Sequence, residues 1–524
     1  MTMRKRNDIS SKDDAPRFAQ PAKDPRDDVR EVMKFYHLAK SFPAAVLDEA
    51  AHCEALLEDA GERLDLRKKF VFTCDPQSAR DYDDAISIWK DRLGRRVLGV
   101  HIADVSHFVR PGSALDKEAF KRSTSVYLAD RVVPMLPEAL SNGLCSLSPD
   151  EDRLAFSVFL TFNRAGEVVK RSFAKSIIRS RARFSYEQVM AIINGGKASV
   201  LKIPGARSAL KTILEVNKLA SQLRQARFAK GALDLEIPAV EVILDAAGEM
   251  SGIVSREYDE SHQMIEECMV AANEAVATEL KAAGGVAILS RFHDKPDEEK
   301  IQLLREELGS MGIKAGNLAH PKVFAQFLQS IKKHPLYSTI AVMVLRSMKR
   351  AVYDAKETGH WGLAKNYYAH FTSPIRRYPD LLVHRQLSAY LVDKKSARIP
   401  PRLLEKYAEH TTEMENIATE AERSILEIKK YRLLAGELAA RMNIEYEAVI
   451  VKCAPYGCFV EVPSIAVTGL VHVSRLSRKF VKFNEHDHTL SAPGGGSWRI
   501  GDKLRVTVER VDFEQRKIDF VPVR

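Results

Sequence analysis

Asp75, Asp81, Asp83 and Asp84 fall within ten residues, in the run CDPQSARDYDDA. Ionised carboxylates repel: a pair about 4 Å apart costs about 1 kcal/mol in water and about 4 kcal/mol at the effective dielectric of a protein surface. A folded chain keeps such a cluster where water dilutes the repulsion or a cation cancels it. Hard divalent cations take oxygen ligands, and Mg²⁺ commonly accepts one or two carboxylates together with phosphate oxygens of a substrate. Two such ions about 4 Å apart would stabilise both the attacking and the leaving oxygen of a phosphoryl displacement. A solvated acidic turn is the plain alternative, because Asp favours loops. The apolar segments on either side and the basic balance of the chain weigh against it.

A second group of reactive side chains is YAHFTSPIRRYPDLLVHR, residues 368–385. Ser373-Pro374 has the pattern of a helix opening, with Ser as the cap and Pro at the first helical position. A helix start offers free N–H groups to an anion. Arg376 and Arg377 follow at once. A guanidinium there could hold a phosphate through two parallel hydrogen bonds, or stabilise charge that develops in a transition state. Taken alone, the segment reads as an ordinary helix start with surface arginines.

The acidic run needs a scaffold, and the flanking pattern supplies one. Residues 68–74 (KKFVFTC), 85–89 and 97–105 read as strands, with Leu93-Gly94 as a turn. The aspartates then lie on the loop between the first two strands, where catalytic groups are commonly carried. Residues 156–162 and 168–173 form an expected hairpin around Arg164-Ala165-Gly166. Helix is expected from 262 to 283 and from 296 to 353. Residues 404–440 are expected to form one long helix, continuous or broken, with a packing seam through Tyr407, Thr411, Met414, Ala418, Ala421, Ile425 and Ile428. From Glu445 onward the chain turns to five short strands in about eighty residues, the signature of a small closed barrel of the OB type. SAPGGGSW (491–498) is expected to be a loop within it.

The 524 residues are too many for one core, and two to four domains are expected. The formal net charge of +10 is compatible with a polyanionic partner and equally with a merely basic enzyme. The six cysteines form no C-x-x-C pattern and read as reduced and buried. No apolar run approaches the ~20 residues that cross a bilayer. The N-terminus has no apolar core of a secretory signal. The expected location is the cytoplasm, with no membrane partner.

Taken together, the motifs are similar to those of the RNase II/RNase R family of exoribonucleases, nearer the RNase R branch. The resemblance rests on DPQSARDYDDAISI, GVHIADVSHFV, VVPMLPEALSNGLCSLSPDEDRLAFSV, KGALDLEIP, HQMIEECMVAANEAVA, RFHDKP and GHWGLAKNYYAHFTSPIRRYPDLLVHR, which occur in this order. It implies an α+β fold, with an RNB-type catalytic core of mixed sheet and helices. It implies processive 3′→5′ hydrolysis of single-stranded RNA to nucleoside 5′-monophosphates. The cofactor it implies is Mg²⁺, with Mn²⁺ as an alternative. Asp75 and Asp84 match direct metal ligands. Asp81 and Asp83 match the other two essential carboxylates, and Asp83 is the one most tied to catalysis. Arg376 matches an arginine on the phosphate near the scissile bond, with Arg377 beside it as an RNA contact. Tyr127 matches the aromatic that holds the 3′-terminal base, Phe292 or His293 part of an opposite stacking wall, and Glu422 a glutamate near the RNA end.

The C-terminal strands resemble an S1 RNA-binding domain, which implies that Tyr456, Phe459 and His472 form a stacking face. Lys452, Arg475 and Lys482 could track phosphates. For Phe459 a place in the barrel core is a close alternative. The expected domains are a mobile charged tail (1–30), a helical segment (31–65), the catalytic domain (66–435) and the S1 domain (440–524). The family usually carries two cold-shock-type barrels before the core, and the 74 residues ahead of Asp75 cannot hold them. The last barrel and the basic tail are therefore expected to supply most of the distal grip. The expected partner is the 3′ end of single-stranded RNA. A monomer is expected, and a degradosome partner is compatible with the sequence but not readable from it.

Overall fold

The computed structural model describes residues 18–523 except 58–60, 196–205, 236–238, 257, 283–286, 335, 393–398, 486–487 and 495. The first strands of the catalytic part are β1 (Leu64–Asp65), β2 (Phe72–Cys74), β3 (Asp84–Lys90), β4 (Arg96–Ala103), β5 (Val126–Tyr127), β6 (Val132–Val133), β7 (Asp152–Phe162), β8 (Val168–Arg179) and β9 (Ala182–Phe184). Seven of them form one sheet in the order β1-β8-β7-β4-β3-β2-β9, and β5 pairs with β6 apart from it. The centre is antiparallel, while β1 on β8 and β2 on β9 run parallel. The central strands read as almost continuous apolar runs because both faces are covered. Leu98, Val100 and Ile102 of β4 pack with Val216, Ala272, Val276 and Val383 from helices. Val97 and Ala103 belong to the opposite layer, with Met135, Tyr378 and Leu404.

The acidic run leaves β2 at Asp75 and re-enters the sheet at Asp84, the first residue of β3. The strand expected over 68–74 is ordered as strand only from Phe72. The region 296–353 resolves into helices Glu298–Ser310, Pro321–Ile331 and Tyr337–Ser347. It ends in a strand rather than a helix: Val352–Asp354 pairs antiparallel with Ser290–Phe292. The long helix Pro401–Ala439 is unbroken and buries Thr411, Ala418, Ala421, Ile425 and Ile428 along the expected seam.

The last eighty residues form the expected closed five-stranded barrel, built from Tyr446–Ala454, Gly457–Val462, Val467–His472, Lys503–Asp512 and Lys517–Pro522. Tyr431 and Leu434 of the long helix join its core. SAPGGGSW is not a loop. Thr489–Ala492 and Gly496–Trp498 pair antiparallel, and with Lys482–Asn484 they make a separate three-stranded sheet. Gly494 lies in the turn at φ +97°, and Gly496 already belongs to the second strand. Leu490 and Trp498 of this sheet pack on the barrel core. All six cysteines are free and buried, as expected. Among the described residues no helix is long and apolar enough to cross a membrane.

The composition of residues 1–30 suggests a mobile tail; residues 1–17 lie outside the described part, and 18–30 are packed. Asp28 is fully buried and pairs with Lys429 Nζ (2.8 Å) and Arg432 Nε (2.7 Å) of the long helix. Its other oxygen accepts the Ala22 N–H at 2.9 Å. Lys429 Nζ also donates to the carbonyls of Pro25 and Gly248. Removing one partner of such a pair strands a buried charge, so Asp28→Ala should lower stability by about 3–5 kcal/mol in urea unfolding. An unchanged unfolding midpoint would contradict the assigned role.

Candidate active site

The acidic loop is not a solvated turn, because groups from two other segments hold it. Tyr82 N–H donates to Ser146 Oγ (3.0 Å), and Ser146 Oγ donates to the Arg80 carbonyl (2.8 Å). Arg183 of β9 donates to the carbonyls of Pro76 and Gln77 (2.8 and 2.7 Å) and lies against the Tyr82 ring. The Asp75 N–H closes the start of the loop on the Phe184 carbonyl (3.1 Å).

This loop forms one wall of a cleft of about 860 Å³. Asp75, Asp81, Asp83 and Asp84 all line it, with Tyr127, Tyr186 and Arg376. Counting Asp130 and Glu138, six acidic side chains face three arginines (Arg80, Arg131, Arg376), a formal excess of three negative charges. Burial, then repulsion from Asp84 and Asp83, pushes the Asp75 carboxyl well above the usual carboxylate range. Burial also raises Asp84, against the opposing pull of Arg376. Asp83 is raised by burial despite the nearby Arg376 and a hydrogen bond from Ile375.

Asp83 is the best-defined of the four. Its Oδ1 accepts the Ile375 N–H at 2.9 Å, and its Oδ2 lies 3.5 Å from Arg376 Nε. That Oδ2 and Asp75 Oδ2 are buried oxygens with no hydrogen-bond partner. A carboxylate oxygen kept from water without a donor is costly, and a cation would relieve it. Among the described residues no three His, Cys, Asp or Glu side chains already converge on one point. The cleft does offer carboxylate oxygens, two of them without a partner. That donor set fits Mg²⁺, which fills its remaining positions with water and phosphate oxygens.

The turn carrying Arg376 differs from its expected form. Ser373-Pro374 does not open a helix; the helix runs from Tyr378 to Val392, and residues 374–376 are a turn. Its N–H groups are already engaged: Ser373 donates to Asp380, Ile375 to Asp83, and Arg376 and Arg377 to the Ser373 carbonyl. Arg377, expected as an RNA contact, is turned inward instead. Its guanidinium pairs with buried Asp380 (2.8 Å) and it does not line the cleft. Phe292 and His293 also lie away from the cleft. Phe292 is half-buried in the Ser290–Phe292 strand, and both His293 nitrogens are engaged, Nε2 with the Lys349 carbonyl (2.8 Å) and Nδ1 with the Gly362 N–H (3.0 Å).

Tyr127 projects at the rim of the cleft, 43 % exposed. Glu422 does not face the cleft directly; its Oε1 accepts the Tyr127 N–H at 2.8 Å and so fixes the β5 backbone from the long helix. Burial raises the Glu422 carboxyl, opposed by that same hydrogen bond. Tyr186 is a lining aromatic that sequence reasoning passed over. It opens the helix Tyr186–Ile193 behind a Ser185/Gln188 capping box and stacks on His262 at 3.8 Å. Its signal is non-local: the β2/β9 register, Cys74 opposite Phe184, brings Tyr186 beside Asp75.

On the barrel, Tyr456 is 51 % exposed and its ring lies 6.1 Å from the half-exposed Phe459. His472 stands beside them, since Gly457 pairs with His472. The three expected stacking residues therefore share one end of the barrel. Lys452 and Lys482 are exposed, whereas Arg475 is paired with Glu509.

Comparison with known proteins agrees with this architecture. Residues 63–393 match the RNB domain and residues 443–521 the S1 RNA binding domain. Ribonuclease R of Thermotoga maritima is 40 % identical over 514 residues, covering 95 % of this chain and 71 % of that protein. The structure of Mycoplasma genitalium RNase R in complex with ribose methylated single-stranded RNA superposes with a TM-score of 0.85 at 28 % identity, covering 96 % of this chain and 78 % of that one. Yeast Ssd1, described as a pseudonuclease, shares the fold at 19 % identity and a TM-score of 0.71, over 89 % of this chain and 58 % of that one. The fold alone therefore does not make a nuclease. By its RNB core, its S1 barrel and its similarity to ribonuclease R, this chain belongs to the RNB family.

Proposed function

We propose that this protein degrades single-stranded RNA processively from the 3′ end, releasing nucleoside 5′-monophosphates with Mg²⁺ as the bound cation. The coarser activity, hydrolytic 3′→5′ exoribonuclease action on RNA, goes with membership of the family beside ribonuclease R. The observation that carries the proposal is Asp83, held between the Ile375 N–H and Arg376 at the wall of an acidic cleft whose rim carries Tyr127.

The cleft's excess of negative charge would repel an RNA end, so phosphate entry needs a compensating cation. Asp75 and Asp84 would hold it, with Asp81 and Asp83 beside them. When bound, a divalent cation supplies the charge that neutralises the phosphate and acidifies water. Among the described residues no His lines the cleft to activate the hydroxyls of Ser78, Ser125 or Ser141, and the attack is assigned to water. Arg376, with Ser373 Oγ accepting from its Nη2 (2.9 Å), offers its remaining N–H groups to the phosphate. Tyr127 and Tyr186 supply ring faces for the terminal bases, which every base can use. Tyr456, Phe459 and His472 extend that sequence-tolerant grip along the strand. The protein acts as a monomer in the cytoplasm.

A 5′-labelled oligoribonucleotide should shorten stepwise from its 3′ end to a short labelled end product with Mg²⁺, releasing unlabelled mononucleotides, and cleavage should stop on adding EDTA. A deoxy oligonucleotide of the same sequence should survive. Equal turnover of both, or internal fragments, would contradict the proposal. Tyr127→Ala should weaken the hold on the last base by about 1–3 kcal/mol and lengthen the final undegraded fragment. An unchanged product ladder on a sequencing gel would remove Tyr127 from the clamp.

A further inference from the structure

Asp380 sits in the first turn of the helix Tyr378–Val392 and is fully buried. Its Oδ1 accepts the Ser373 N–H (2.8 Å) and Arg377 Nη2 (2.8 Å). Its Oδ2, and Arg377 Nε, are buried without hydrogen-bond partners. A half-satisfied buried ion pair is often no more stable than well-packed apolar side chains. Stability therefore gives little reason for this one, and its geometry suggests another.

Every polar group of Ser373 is engaged. Its N–H goes to Asp380, its carbonyl accepts the N–H groups of Arg376 and Arg377 (3.3 and 3.0 Å), and its Oγ accepts Arg376 Nη2 (2.9 Å). Two residues further on, the Ile375 N–H meets Asp83 Oδ1, and Arg376 Nε faces Asp83 Oδ2. On the other side of the turn, Ser125 N–H donates to the Arg376 carbonyl (3.0 Å) and Tyr378 N–H to the Ser123 carbonyl (2.9 Å). Those bonds hold the backbone and tie it to the segment leading into Tyr127. The side-chain direction of Arg376 depends on Ser373, and Ser373 depends on Asp380.

We propose that Asp380, with Arg377, is a positioning residue for hydrolysis: it fixes the turn 373–377 so that the Ile375 N–H and the Arg376 guanidinium both address Asp83. It touches neither RNA nor metal. The role assigned to Arg377 changes accordingly, from a contact with the substrate to a buried counter-charge. This rests on the reading that Asp83 and Arg376 carry the chemistry. Misplacement of a catalytic group by about 1 Å can cost about 100-fold in rate, which sets the scale of the effect.

The test uses Asp380→Asn, Arg377→Gln and the double variant, with Asp83→Asn alongside. Each is assayed for kcat and KM on a short oligoribonucleotide and for thermal midpoint. Asp380→Asn should lower kcat about 10- to 100-fold while KM stays within about twofold. The double variant leaves no charge unpaired, so its thermal midpoint should return toward that of the unaltered protein while kcat stays low. If Asp380→Asn does not fold, the double variant and Arg377→Gln carry the same comparison. Recovery of kcat together with stability in the double variant, or full kcat in Asp380→Asn, would overturn the proposal. If Asp83→Asn itself remains active, the reading of the site fails and the proposal falls with it. If Asp83→Asn is inactive and the Asp380 variants keep full kcat, only the positioning role fails.

Discussion

Asp83→Asn should lower kcat for mononucleotide release by at least about 100- to 1,000-fold, the usual effect of removing one preorganised electrostatic group. The amide keeps the shape of the side chain and one oxygen able to accept the Ile375 N–H, so the fold around position 83 should persist. What is lost is the negative charge beside Arg376 and a buried oxygen that has no other partner. The cleft also becomes less negative. RNA affinity, measured by anisotropy of a labelled oligonucleotide, should therefore stay the same or improve. A split of this kind, with binding kept and turnover lost, separates a catalytic carboxylate from a structural one. Cleavage within tenfold of the unaltered protein would remove Asp83 from the mechanism.

Arg376→Ala should produce the next largest loss, about 100-fold or more in kcat, with a smaller change in KM. The side chain is 41 % exposed, so it is not locked into the core and its N–H groups can reach a phosphate. Arg376→Lys should restore only part of the rate. An ammonium supplies a point charge but not the planar fork that meets two phosphate oxygens and Ser373 at once. Full activity in Arg376→Lys would show that charge alone matters at this position. Unchanged kcat in Arg376→Ala would show that the arginine serves only to balance Asp83.

What could be read from the sequence was local. Asp75 to Asp84 form a short run between two apolar segments, and both their loop and their crowding follow from neighbours in the chain. The barrel was equally legible, because five short alternating strands leave few other solutions. Errors arose wherever a distant residue captured a local signal. Ser373-Pro374 looks like a helix start, but its N–H is taken by Asp380, and the nearby Ile375 N–H by Asp83, almost three hundred residues back along the chain. Arg377 has the look of a surface cation until its pairing with Asp380 is seen. Polar residues 18–30 look like a tail because Lys429 and Arg432, which bury Asp28, lie some four hundred positions away. Tyr186 owes its place to a parallel strand pairing, and no pattern around FSYEQV announces it. SAPGGGSW misled by composition alone: Gly494 serves the turn, while Leu490 and Trp498 pack on the barrel.

The account stands on one electrostatic claim, that the carboxylates of Asp75 and Asp84 serve a divalent cation shared with the RNA end. Crystals of the Asp83→Asn protein grown with a short oligoribonucleotide and soaked in Mn²⁺ test it through anomalous scattering. A manganese peak is expected within direct ligand distance of Asp75 and Asp84 oxygens and of a backbone phosphate, with Tyr127 against the terminal base. A bound oligonucleotide with its phosphate in the cleft, no manganese peak, and both carboxylates turned away from it would contradict the claim.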